Sequence, residues 1–156
     1  MLGRPACALK TKVVKESESR LTSISLLIYY RWVKWKIPQN VKIHPSAWRD
    51  VKAISIIDEK TAGRIIQRMA SLGVDPEPRQ GDCDSRTVVT LNKKGYRVKR
   101  LKCTDTFRYR IFYSYNRKTG IVCIYCIVPR DDDTYDENSW HYKRIKQLYR
   151  QWGECK

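Results

Sequence analysis

The sequence is short of the features that announce most catalytic or membrane-bound chains. No apolar run approaches the roughly 20 residues of a membrane-spanning helix, which points to a soluble or peripheral chain with no membrane partner. Histidine occurs twice, at His44 and His141, which argues against a histidine pair working as general acid and base. His44 stands before Pro45, far from the basic strands described below, and His141 falls on an apolar helical stripe. Neither a glycine-rich phosphate loop nor a paired zinc-ligand motif is present, so no cofactor and no metal is expected. The best signal-peptide candidate, Leu21 to Val33, follows Glu16 and Glu18 and meets Arg31, Trp32 and Lys34 where a cleavage site needs small residues. It does not read as a leader, and a cytoplasmic location is expected.

Acids are scarce too. Only 16 of them face 32 Lys and Arg, for a formal charge of +16, and such an excess suits a polyanionic partner: nucleic acid, an acidic protein or an anionic surface. With 42% apolar residues in 156, the chain has the core of one ordinary domain. Its six cysteines include "CIYC", but this lies inside the strand-like "GIVCIYCIV". Strand alternation then sends Cys123 and Cys126 to opposite faces, where they cannot share a metal. Cys7, Cys83, Cys103 and Cys155 are scattered, and reduced thiols in a cytosolic protein are expected.

Residues 1–38, basic and then apolar in "LTSISLLIYYRWVKWKI", form an N-terminal extension of uncertain structure, and 39–152 form the domain proper. "NVKI" gives a short strand, and Pro45 with Ser46 starts a helix carrying Trp48, Val51, Ile54 and Ile57. A second helix opens at Asp58, presents Ala62, Ile65, Ile66 and Met69, and stops at Gly73. The Pro, Gly and Asp of residues 73–85 make a loop. "RTVVTL", "GYRVKRLK", "FRYRIFYSY" and "GIVCIYCIV" read as four strands of an antiparallel meander. "ENSWHYKRIKQLYRQWG" closes the chain as a helix with His141, Ile145, Leu148 and Trp152 on one stripe, capped by Asp136 or Ser139. The expected class is α+β, a strand and helical hairpin packed on a meander, with a C-terminal helix.

Alternation places Arg108, Arg110 and Phe112 on one face of their strand, and Arg97 with Lys99, or Arg100 with Lys102, on one face of the strand before. Whichever face turns outward, cations lie beside aromatic rings, an arrangement that grips phosphates and stacks on bases.

The order of these elements, with "YRVKRLK", "RYRIFYSY" and "IVCIYCIVPRDDDTY", resembles the RelE/ParE superfamily of bacterial and archaeal toxins over roughly residues 40–150. In the RelE branch the resemblance implies a toxin of a type II toxin–antitoxin system that cuts messenger RNA on the ribosome without metal and so inhibits translation. Arg110 matches the family arginine that holds the scissile phosphate, Arg130 the second phosphate-stabilising arginine, and Tyr135 the tyrosine that stacks on the base or assists proton transfer. Arg100 and Lys102 match the basic pair on the preceding strand, with Lys99 and Arg97 as the other register, and Arg108 is an additional cation on the phosphate path. The implied partners are mRNA, the ribosome and an acidic antitoxin. The alternatives are a ParE-like inhibitor of DNA gyrase and a non-catalytic RNA- or ribosome-binding protein of the same fold.

Overall fold

The computed structural model describes residues 37–106, 108–131 and 136–152. Most of the N-terminal extension, and Tyr135, lie outside these residues. In chain order the elements are β1 (Val41–Ile43), α1 (Pro45–Ile57), α2 (Glu59–Ser71), β2 (Cys83–Thr87), α3 (Val89–Lys93), β3 (Lys99–Cys103), a 3-10 turn (Thr104–Thr106), β4 (Tyr109–Asn116), β5 (Ile121–Pro129) and α4 (Trp140–Trp152). One sheet runs β1-β5-β4-β3-β2. The pairing is parallel between β1 and β5 and antiparallel elsewhere. This is the α+β arrangement of strand, helical hairpin, meander and terminal helix that the sequence leads one to expect.

The hairpin is built from local signals. His44 caps α1, its Nδ1 accepting from Ser46 N at 3.0 Å, with Pro45 following in the first helical turn, where a missing N–H costs nothing. Asp58 caps α2 by accepting from Thr61 N (3.1 Å) and Thr61 Oγ1 (2.6 Å). Ala62, Ile65, Ile66 and Met69 are buried as the α2 stripe, whereas Ile57 is 84% exposed and leaves the expected α1 stripe. Gly73 has a further role beyond stopping the helix, since Leu72 already closes α2 in right-handed geometry. A Cβ on Gly73 would stand 2.7 Å from Pro38 Cβ and 2.9 Å from Val41 Cγ2. Gly73→Ala is therefore expected to cost about 1–3 kcal/mol in urea unfolding, as overpacking does.

His44 also carries a pH dependence. Its ring meets Trp152 edge-on at 4.8 Å between centroids. Burial, the largest influence, holds its pKa below the usual imidazole value, against a side-chain hydrogen bond with Gln151 that acts the other way. The unfolded chain takes up this proton more readily than the folded one, so stability rises with pH here. The contribution is complete above about pH 6.5 and is lost as the pH falls below it. Denaturation midpoints measured from about pH 8 down to pH 5 should decline in the wild type and flatten in His44→Asn, which keeps a helix-capping side chain.

The meander differs from expectation at its first strand. Of "RTVVTL" only Arg86 and Thr87 are strand: β2 is "CDSRT", which begins earlier, and Val89–Lys93 forms the short helix α3. Val88 and Leu91, three apart, both turn into the core, as a helical turn allows and a strand does not. The strand comes from what reads as loop because its pairing is fixed from outside, through the ladder Cys83↔Cys103 to Thr87↔Lys99. Cys83 and Cys103 are disulfide-bonded across that ladder, which corrects the expectation of reduced thiols.

A second correction concerns Cys123 and Cys126. Tyr113 pairs with Ile124 and Phe112 with Cys126, so Tyr125 is an extra residue in β5, a bulge that resets the alternation. Both cysteines therefore join the same core cluster, with Phe112, Val128 and α4 residues Tyr142, Ile145 and Leu148. Helix α1 packs against β5 as well. Every residue from Val122 to Val128 is buried.

Beyond the end of β1 the backbone of β5 needs other partners. Ile127 N donates to Asp50 Oδ2 of α1 at 2.9 Å, and Arg144 of α4 donates to both oxygens of that carboxylate at 2.9 Å and to Ser46 Oγ. One carboxylate thus joins α1, β5 and α4. Among the described residues no helix is long and apolar enough to cross a membrane.

Candidate functional site

The β3–β4 register pairs Arg100 with Phe112 and Leu101 with Ile111. Directly paired residues share a face, and alternation carries Lys102 and Arg110 to that of Arg100 and Phe112. Lys99 pairs with Tyr113 and lies on the other face, where its Nζ is 2.6 Å from Glu77 Oε1. Hydrogen bonding from Lys99 is the main reason the Glu77 carboxyl is held below the usual carboxylate range, with Arg117 adding to it. Lys99 is therefore bound in an ion pair away from Arg100 and Lys102. Arg97 is exposed in the connection between α3 and β3.

The expectation of an outward face bearing all these cations needs correction. Arg110 is only 1% exposed, and its Nη1 donates to Tyr109 O at 3.1 Å. Helix α4 lies on the face of Phe112, Cys126 and Val128, and Val128 is the residue paired with Arg110. Alternation states which face a side chain takes, not what covers it. Lys102 is exposed and Arg100 half-buried.

At the adjoining ends of β4 and β5 the backbone pairing continues, with Arg130 N donating to Arg108 O at 2.6 Å. Both arginines are exposed. Asp131, the next residue, has Oδ2 3.2 Å from His141 Nε2 on α4. His141 is buried on the apolar stripe where the helical period places it, and it makes this bond as well. Ser139 Oγ accepts from Tyr142 N at 3.5 Å at the start of α4, while Asp136 Oδ1 accepts from Asn138 N at 2.9 Å in the turn before it. Trp140 is 56% exposed, and its ring meets that of His141 at 3.8 Å between centroids, tilted by 41°. Trp140 is not among the residues expected in the site; its signal in the sequence is an aromatic residue just outside the apolar stripe at a helix start.

Other groups are quieter. Burial pushes the Cys126 thiol up to about 12, which keeps it protonated and unreactive. Tyr113 is raised by burial as well and is held by Ser85 Oγ and by Pro76 O, to which it donates at 2.6 Å. A cavity of about 390 Å³ at the β2 edge is lined by Glu77, Asp84, Arg86 and Lys99, among others. Arg86 pairs with Asp84 at 2.7 Å and Lys99 with Glu77, and Arg79 completes the charged lining. Among the described residues no group of three His, Cys, Asp or Glu side chains could hold a metal ion.

Residues 41–134 match the family described as ParE toxin of type II toxin-antitoxin system, parDE. The match begins at β1 and ends just beyond Arg130, so it spans the whole sheet. No curated protein and no solved structure matches the chain.

Proposed function

We propose that this chain, which belongs to the ParE toxin family of type II toxin–antitoxin systems, acts as a ribosome-dependent endoribonuclease that cuts messenger RNA and inhibits translation. The observation that carries this reading is the gathering of Arg100, Lys102 and Arg110 on one face of β3 and β4, with exposed Arg108 and Arg130 at the adjoining end. In such a reaction the ribose 2′-hydroxyl attacks the neighbouring phosphate, the 5′-oxygen leaves, and a cyclic phosphate forms. Negative charge grows on the phosphoryl oxygens as it does so. Preorganised cations at that point stabilise the transition state without a metal. Lys102, Arg108 and Arg130 take this role because they are open to solvent, with Arg100 behind them. Tyr135, outside the described residues, is assigned to stacking or proton transfer. Membership in the family implies an antitoxin partner, and a +16 chain suits an acidic one.

A second reading has an observation in its favour. The burial of Arg110 closes off the arginine to which the RelE-branch resemblance assigns the scissile phosphate, and a ParE-like inhibitor of DNA gyrase needs no such group. Primer extension on message translated in a cell-free system separates the two. New 5′ ends that vanish with Arg130→Ala are expected; intact message together with blocked supercoiling by gyrase would establish the second reading instead.

A further inference from the structure

The rim beside Arg130 holds an exposed indole that no role described so far uses. Surface tryptophans at isolated positions are common, but Trp140 is braced by a buried ring: its indole meets His141, which is 1% exposed, at 3.8 Å between centroids and a tilt of 41°. The support is itself tied down. His141 Nε2 meets Asp131 Oδ2 at 3.2 Å, while His141 Nδ1, buried, has no hydrogen-bond partner among the described residues. Nε2 is the ring nitrogen within reach of the carboxylate, and an N–H there donates to it. Asp131 follows Arg130 directly in the chain, and Arg130 N is bonded to Arg108 O.

These contacts have two effects. They fix the indole at a set position relative to the Arg108–Arg130 strand end. They also draw the Asp131 carboxylate onto α4, so that the acid next to Arg130 is engaged by His141 and its repulsion of a phosphate is reduced. A rigid aromatic surface beside exposed guanidinium groups is the combination that binds single-stranded nucleic acid, with the cations on phosphates and the ring on a base. From this geometry we infer that Trp140, seated on His141 and positioned through Asp131, is a stacking platform for an unpaired nucleobase of the RNA whose phosphate Arg130 contacts. The inference rests on the ribonuclease reading and adds to it a base-binding residue, Trp140, and a positioning residue, His141.

The test uses the full chain and an unstructured, fluorescein-labelled oligoribonucleotide carrying 2′-O-methyl groups, which cannot be cleaved. Dissociation constants are read by anisotropy at one fixed salt concentration. Trp140→Ala is expected to weaken binding roughly 10- to 100-fold, the usual effect of losing one base–aromatic stack, while Trp140→Phe retains most of the affinity. His141→Phe keeps a ring beneath the indole but frees Asp131, and should weaken binding less than Trp140→Ala. Its loss should be recovered by adding Asp131→Asn, a rescue that simple damage to packing would not give. Wild-type affinity in Trp140→Ala, with binding lost in Arg130→Ala, would overturn the platform and leave the ribonuclease reading standing. Absence of RNA binding by the wild type overturns the platform, whereas the ribonuclease reading stands or falls on the new 5′ ends in translated message. Loss of antitoxin affinity in Trp140→Ala with RNA affinity intact would assign the indole to a protein interface and overturn the inference.

Discussion

Asp50→Ala is expected to lower the stability of the domain by about 3 kcal/mol, read as a shift of the urea midpoint with little change in slope. The carboxylate is mostly buried, with 19% of its side chain exposed, and it accepts from Ile127 N and from Arg144 together. Truncation strands two groups at once: a backbone N–H of β5 and a half-buried guanidinium, which is left with the Ser46 hydroxyl as its remaining acceptor. Breaking such a pair from one side costs more than removing both charges, because the remaining ion has no compensation. Asp50→Asn should cost less, since an amide oxygen can still accept from Ile127 N. Arg144→Met in the Asp50→Ala background should recover part of the loss, and a double-mutant cycle measures the coupling directly.

Arg110→Ala is expected to behave unlike every other arginine substitution in the site. Removing a large side chain that is 1% exposed leaves a cavity beside Val128 and should cost about 2–4 kcal/mol of stability. Arg130→Ala, at an exposed position, should change stability by less than about 0.5 kcal/mol while reducing cleavage by about 10²–10³-fold. A cleavage assay on Arg110→Ala alone would therefore confuse unfolding with chemistry. Arg110→Met fills the volume without the charge, so thermal unfolding and cleavage can be read on one folded protein. We expect its stability to recover and its cleavage to stay low, because the guanidinium shares the face of Arg100 and Lys102. Wild-type cleavage by Arg110→Met would make Arg110 a packing residue.

The parts of the fold legible in the sequence are those in which side chains decide the structure. Ala62, Ile65, Ile66 and Met69 repeat with the helical period, and "YRIFYSYN" carries the aromatic and β-branched residues of a strand. β2 was not legible, because "CDSRT" is an edge strand held by its neighbour's backbone and by a disulfide, and neither shows in local composition. The run "TVV" had the stronger strand propensity and lost to the burial of Val88 and Leu91 in a helical turn. In the site, alternation gave the face shared by Arg100, Lys102 and Arg110 but not the cover over Arg110, which comes from distant elements. The Tyr125 bulge shows the limit of counting by twos: one inserted residue brought Cys123 and Cys126 to the same side.

The parallel strand β1 has a bearing on how the protein comes into being. Its partner is β5, and the bond that seals the pair, from Asn40 Nδ2 to Gly120 O, joins residues 80 apart. A chain emerging from the ribosome N-terminus first can form the α1–α2 hairpin early, because those contacts are local. The sheet cannot close until β5 has been synthesised, and Asp50 waits longer still for Arg144. Non-local pairings of this kind fold slowly and late. The folded domain is thus completed only after α4 has been made, a delay in which a binding partner can meet the chain before it matures.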